Sequence, residues 1–111
     1  MTHEEIPYTQ VELLNLLSYD PKTGVLTWKE RSKPHKQASS WNTRYAGTVA
    51  GAVSGNRINV TIRCGRKVKH YRAHNLIWFM QTGKQVPEGM VIDHEDGDGL
   101  NNVWTNLNSL S

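Results

Sequence analysis

Val91-Ile92-Asp93-His94-Glu95-Asp96-Gly97-Asp98-Gly99-Leu100-Asn101-Asn102, followed by Asn106-Leu107, gathers the chain's best candidates for chemistry. An apolar pair leads into an adjacent carboxylate and imidazole, and then into an acidic, glycine-rich turn. A carboxylate such as Asp93 can hold a hard divalent cation. An imidazole such as that of His94 can take a proton from water. Asp-Gly and Asn-Asn are also ordinary turn formers, and a histidine on a strand is often just a hydrogen-bonded residue. The stretch taken alone admits both readings.

Two other chemistries fit poorly. An EF-hand calcium loop needs acids at positions 1, 3 and 5 and glycine at position 6. Counted from Asp93, position 5 is Gly97 and position 6 is Asp98; counted from Asp96, position 5 is Leu100. The single cysteine, Cys64, excludes an internal disulfide and a cysteine-based zinc knuckle. It sits in a basic turn with no base placed beside it by sequence.

The elements that must position Asp93 and His94 fit within one domain of 111 residues, large enough for a modest core. Hydrophobic residues make up 37% and no apolar run approaches 18 residues, which argues against a membrane span. Met1-Thr2-His3-Glu4-Glu5 is acidic and starts no apolar signal segment, so a reduced, cytoplasmic setting is expected. The net charge of +3 conceals a segregation. All 13 Lys and Arg lie between Lys22 and Lys84, where Glu30 is the only acid, and the remaining acids flank that body. A basic body suits contact with a polyanion, with the acids free to hold a counter-cation; a solvated basic surface is the plainer alternative.

Thr9 to Leu17 reads as an amphipathic helix: Thr9 caps it, Glu12 completes a capping box, and Leu13, Leu14, Leu16 and Leu17 form its apolar face. Tyr19 to Gly24 reads as a turn and Val25 to Lys29 as a strand. Residues 30–45 lack apolar periodicity and read as a long basic surface loop. Gly47 to Val53, Arg57 to Arg63 and Val68 to Arg72 alternate as strands around Ser54-Gly55-Asn56 and Cys64-Gly65-Arg66-Lys67 turns, which brings Arg57, Arg63, Lys67, Lys69 and His70 near one sheet face or edge. Ala73 to Thr82 changes period to that of a buried helix ending at Gly83, and Met90 to His94 reads as a short strand. The fold class is therefore α+β: an N-terminal helix, a small antiparallel sheet of three or four strands, one buried helix and a C-terminal strand leading into the acidic turn. One domain, 1–111, divides into 1–29 (helix and strand), 30–45 (basic loop), 46–84 (basic sheet and buried helix) and 85–111.

Three stretches in this order resemble the HNH endonucleases of phage and homing type, which carry a ββα-metal finger. They are Tyr19-Asp20-Pro21-Lys22-Thr23-Gly24-Val25-Leu26-Thr27-Trp28-Lys29, then Ala73-His74-Asn75-Leu76-Ile77-Trp78, then Ile92 to Asn102 with Asn106-Leu107. The resemblance spans nearly the whole chain. It implies that His94 is the general base activating water for attack on a phosphodiester, and that Asp93 ligates a divalent ion, Mg²⁺ or Mn²⁺. Asn102 and Asn106 would brace the loop and orient His94 through backbone hydrogen bonds. Arg31, Lys33, Lys36 and Arg44 of the loop, with Arg57, Arg63, Arg66, Lys67, Lys69 and Arg72 of the sheet, would position DNA through its phosphates. Trp41 could stack on a base or bury against the body. His74 is expected to pack under the finger.

The chain departs from the family in two places. Asn75 stands where an arginine is usual. The family's finger continues past its second strand into a helix bearing a last metal ligand, whereas here Asn108-Ser109-Leu110-Ser111 would be that strand and the sequence ends, so any ion is expected to be weakly held. The alternative is an inactive HNH-derived phage protein that binds DNA or inhibits a host defence protein, using its acidic tail as a contact surface.

Overall fold

The computed structural model describes residues 6–30, 44–64, 67–86 and 90–110, without the side chains of residues 63, 64, 67 and 110. The expected DNA contacts at Arg31, Lys33, Lys36 and Arg66, and Trp41, lie outside the described residues, as do the side chains of Arg63 and Lys67.

Helix α1 spans Gln10–Leu16 and begins with the expected capping box. The Thr9 hydroxyl accepts from Glu12 N at 3.1 Å and the Glu12 carboxylate accepts from Thr9 N at 2.8 Å, satisfying two donors that a helix start leaves open. The helix stops one residue earlier than its leucine spacing suggests, because Leu17 turns extended and starts strand β1 (Leu17–Asp20). Strand β2 (Val25–Trp28) returns antiparallel to β1, with Tyr19 opposite Leu26. The turn between them is therefore narrower than Tyr19 to Gly24. It is closed by Gly24 N donating to Asp20 O at 2.7 Å and by Lys22 N donating to the Asp20 carboxylate at 2.9 Å. A strand as short as β1 leaves almost no alternation to read, and its leucine continues the helical pattern.

The chain comes back beside β2 at residues 47–50, where Trp28 N donates to Thr48 O and Ala50 N to Leu26 O. Strand β3 (Ala52–Ser54), strand β4 (Arg57–Cys64) and strand β5 (Lys67–Arg72) then form an antiparallel sheet in the order β3-β4-β5. The expected strands thus fall into three small sheets. The third is strand β6 (Val91–His94) with strand β7 (Leu107–Leu110), joined through a 3₁₀ turn at Trp104–Asn106.

Helix α2 (Ala73–Thr82) is the element all three sheets share a core with. Its period of 3.6 puts Ala73, Leu76, Ile77 and Met80 on one buried face, with Phe79 beside them. Leu13 and Leu17 from the N-terminus, Val60 and Ile62 from β4, and Ile92 and Leu107 from the last hairpin complete the core. Gly83 closes α2 at φ 75°, with its N–H donating to Phe79 O at 2.8 Å. The N-terminal region is tied to this helix by Gln10 Nε2 donating to Met80 O at 2.8 Å. No helix among the described residues is long and apolar enough to cross a membrane.

Candidate active site and nucleic-acid face

Strand β6 alternates, so adjacent residues face opposite ways. Ile92 and His94 point inward, whereas Asp93 is exposed. The imidazole of His94 is 6% exposed and meets two partners. Its Nε2 lies 2.8 Å from Oδ1 of Asn102, itself 2% exposed. Because an amide oxygen only accepts, Nε2 is the donor in this bond. The second partner is His74 at the start of α2, whose ring stands edge-on to that of His94 with centroids 5.1 Å apart and planes at 85°.

His74 is as buried as the sequence suggested, and its Nδ1 is the buried side-chain nitrogen or oxygen without a hydrogen bond among the described residues. Burial, and after it the nearby His94, Arg57 and Arg72, push its pKa from 6.5 down to about 4. The unfolded chain therefore takes up this proton near pH 6.5 and the native chain only near pH 4. Stability should be fully present above about pH 6.5 and fall by roughly 3 kcal/mol as pH drops toward 4. Denaturant titrations across that window test this, and His74→Leu should remove most of the slope.

The loop after His94 is organised by Asp96. Its carboxylate accepts from Asn101 Nδ2 (2.8 Å), Asn106 Nδ2 (2.9 Å) and Asp98 N (2.8 Å). These bonds hold it below the usual carboxylate range, the Asn101 amide most of all. Asn106 returns the contact by accepting from Asp96 N at 3.0 Å, and also donates to Asn101 O at 2.9 Å. Asp98 caps the next turn by accepting from Leu100 N at 2.9 Å. The two asparagines thus divide the work expected of them. Asn102 reaches His94 directly, with its side chain rather than through backbone bonds, and Asn106 clamps the loop without touching His94. Asp96 and Asp98 are occupied with the loop's own N–H groups. Their Asp-x-Asp spacing ahead of asparagines was the available signal for this role.

The finger unit is not separate from the rest. Trp104 N donates to Pro21 O at 3.0 Å, the Trp78 and Trp104 rings lie 5.3 Å apart, and the Tyr19 hydroxyl donates to Asn102 O at 2.5 Å. Gly24 and Gly99 mark close backbone approaches. A Cβ on Gly24 would lie 2.5 Å from Asn102 C and Val103 N, and one on Gly99 would collide with Asn56 O and the Arg57 guanidinium.

Asp93 carries an exposed carboxylate opposite Asn108 of β7. No group of three histidine, cysteine or acidic side chains placed to hold a metal ion occurs among the described residues. One exposed carboxylate suits Mg²⁺, which keeps several waters and commonly takes one or two protein carboxylates together with substrate phosphate. It does not suit a metal that demands a closed protein cage.

The basic residues divide by register. Asn59 pairs with Arg72 and Thr61 with His70, so these four share the face opposite Val60 and Tyr71. Arg72 Nη1 donates to Asn59 Oδ1 at 3.1 Å, and Thr61 Oγ1 is hydrogen-bonded to His70 Nδ1 at 2.7 Å. Lys69 pairs with Ile62 and so projects from the other face, where it is exposed. Arg57 donates to Asn56 O at 3.0 Å, over Gly99. Arg44 is exposed and stacks on Tyr45 at 5.9 Å. The charges of Arg57 and Arg72 act on His74 in the same direction as its burial, disfavouring its protonated form.

Residues 71–111 match the family model described as HNH endonuclease. Among solved structures, the chain is similar to the HNH homing endonuclease I-HmuI, in a structure that describes DNA binding and cleavage by that enzyme. The TM-score is 0.56 at 21% identity, over 86% of this chain and 47% of the other. The chain thus spans about half the length of that structure. No curated protein matches it.

Proposed function

We propose that this chain, which through residues 71–111 belongs to the HNH endonuclease family, hydrolyses DNA phosphodiesters with His94 as general base. The observation that carries the reading is the bond from His94 Nε2 to Asn102 Oδ1. A neutral imidazole donating from Nε2 to that oxygen would present Nδ1 as its basic atom, and the bond supports one orientation of the ring. In the reaction Nδ1 takes a proton from water, the water oxygen bonds to phosphorus, and the leaving oxygen departs with the bonding pair and takes a proton from solvent. Asp93 would hold Mg²⁺ or Mn²⁺, which when bound stabilises charge developing on the phosphate oxygens. Arg57 and Arg72, on one face of the β3-β4-β5 sheet, would bind backbone phosphates and set affinity rather than sequence choice.

A second reading is an HNH-derived protein that binds DNA without cutting it. It is favoured by the burial of His94 and by the lack, among the described residues, of a group of three potential ligands around Asp93. Inhibition of a host protein through the acidic loop belongs to the same reading, but Asp96 and Asp98 are already engaged within the loop.

Incubation with supercoiled plasmid and Mg²⁺ or Mn²⁺ separates the two. Nicking is expected; DNA retarded in a gel but intact under every metal condition would leave only the second reading. Affinity should fall steeply with salt, the log–log slope changing by about 1 for each phosphate contact removed. Arg72→Ala should lower that slope, and an unchanged slope would exclude a phosphate contact at this residue.

A further inference from the structure

We propose that Tyr19 is a positioning residue for the His94 imidazole, acting through Asn102; this rests on the reading of His94 as the base. Tyr19 belongs to strand β1, 83 residues before Asn102 and outside the segment that matches the HNH family model. Its hydroxyl donates to the Asn102 carbonyl at 2.5 Å, while the Asn102 side chain accepts from His94 Nε2 at 2.8 Å. Asn102 is therefore held at its backbone by the N-terminal hairpin and holds the imidazole with its amide.

Three features make this a built arrangement. Asn102 is 2% exposed, so no solvent can replace either partner freely. Gly24, in the same hairpin, lets the chain run directly against the Asn102–Val103 peptide, and Trp104 N bonds to Pro21 O. Burial, and after it the Asp20 carboxylate, push the Tyr19 phenol up to about 12, so it remains a donor throughout the pH range in which a histidine base works. An asparagine amide can hold a ring in register only if its own backbone is held. Loss of the phenol hydroxyl frees the carbonyl, lets the amide turn, and removes the reason for His94 to carry its proton on Nε2.

Tyr19→Phe keeps the ring and deletes only the hydroxyl. Long-range ¹H–¹⁵N spectra at mildly alkaline pH read the imidazole tautomer of His94 directly. The wild type should be in the Nε2–H form, and Tyr19→Phe should give a mixture of both tautomers. In plasmid nicking, kcat should fall roughly ten- to hundredfold with KM for DNA unchanged, the scale of a small misplacement of a reacting group. Asn102→Ala should cause a similar loss, and the double variant should lose no more than the larger single one, as expected of residues acting in series. Thr9→Ala, which removes the cap of α1 far from the site, controls for lost stability and should leave kcat in place. A His94 tautomer and a kcat both unchanged in Tyr19→Phe would overturn the proposal. If the wild type does not cut DNA, the nuclease reading fails on its own, and the tautomer measurement alone decides whether Tyr19 positions His94.

Discussion

Replacing His94 with alanine is expected to reduce DNA nicking by roughly 10²- to 10⁴-fold, the range associated with removal of a general base. Retardation of the same DNA in a gel should be preserved. His94 is buried and offers its Nε2 to Asn102, so it has no phosphate-binding role to lose. Arg57 and Arg72, which would carry affinity, remain in place. The substitution also leaves Asn102 Oδ1 buried without its donor, at about 1–3 kcal/mol of stability. Melting temperature must therefore be measured alongside, to show that a folded protein is being assayed. Nicking that survives in folded His94→Ala would end the assignment of His94 as base, whatever else cuts the DNA.

Gly24→Ala should be strongly damaging for so small a change. Its φ of 77° alone costs a side-chain-bearing residue about 1–2 kcal/mol. The added methyl would also lie 2.5 Å from Asn102 C and Val103 N, backbone atoms that have no rotamer to yield. The hairpin must move off the finger, and the Tyr19 bond to Asn102 and the Trp104 bond to Pro21 lie in its path. We expect a loss of roughly 2–4 kcal/mol, on the scale of backbone strain combined with overpacking, together with a fall in cleavage. Gly97→Ala supplies the comparison. Its φ is 79°, yet nothing lies within 4 Å of the added atom. Only the backbone penalty should appear there. Equal urea midpoints for the two variants would refute the close approach at Gly24.

The sequence was most legible where one periodicity ruled. The period of 3.6 in Ala73 to Thr82 predicts a buried helix, and α2 has those bounds. Thr9 with Glu12 locates the start of α1, and the alternation from Arg57 to Arg63 locates β4. Legibility failed at Leu17 to Asp20, where four residues are too few to show a period and the first continues a helix. It also failed for the basic residues. A period-2 reading put Arg57 and Lys69 near one sheet face or edge, but register assigns Lys69 to the side of Ile62 and leaves Arg57 on the side of Asn59.

By itself the sequence determined the chemistry on offer: an adjacent carboxylate and imidazole, an asparagine-rich loop to follow them, and a basic body before them. Those are properties of residue type and short-range spacing, and they need no fold to be recognised. Only the tertiary structure decided what each group is free to do. It turned Asp93 outward and His94 inward, set His74 edge-on against the imidazole, and engaged Asp96 in loop bonds. It also brought Tyr19 to Asn102 across 83 residues. The reason is that a side chain's proton and its orientation are fixed by whichever donors and acceptors packing brings within 3 Å, and packing joins segments that no local pattern connects.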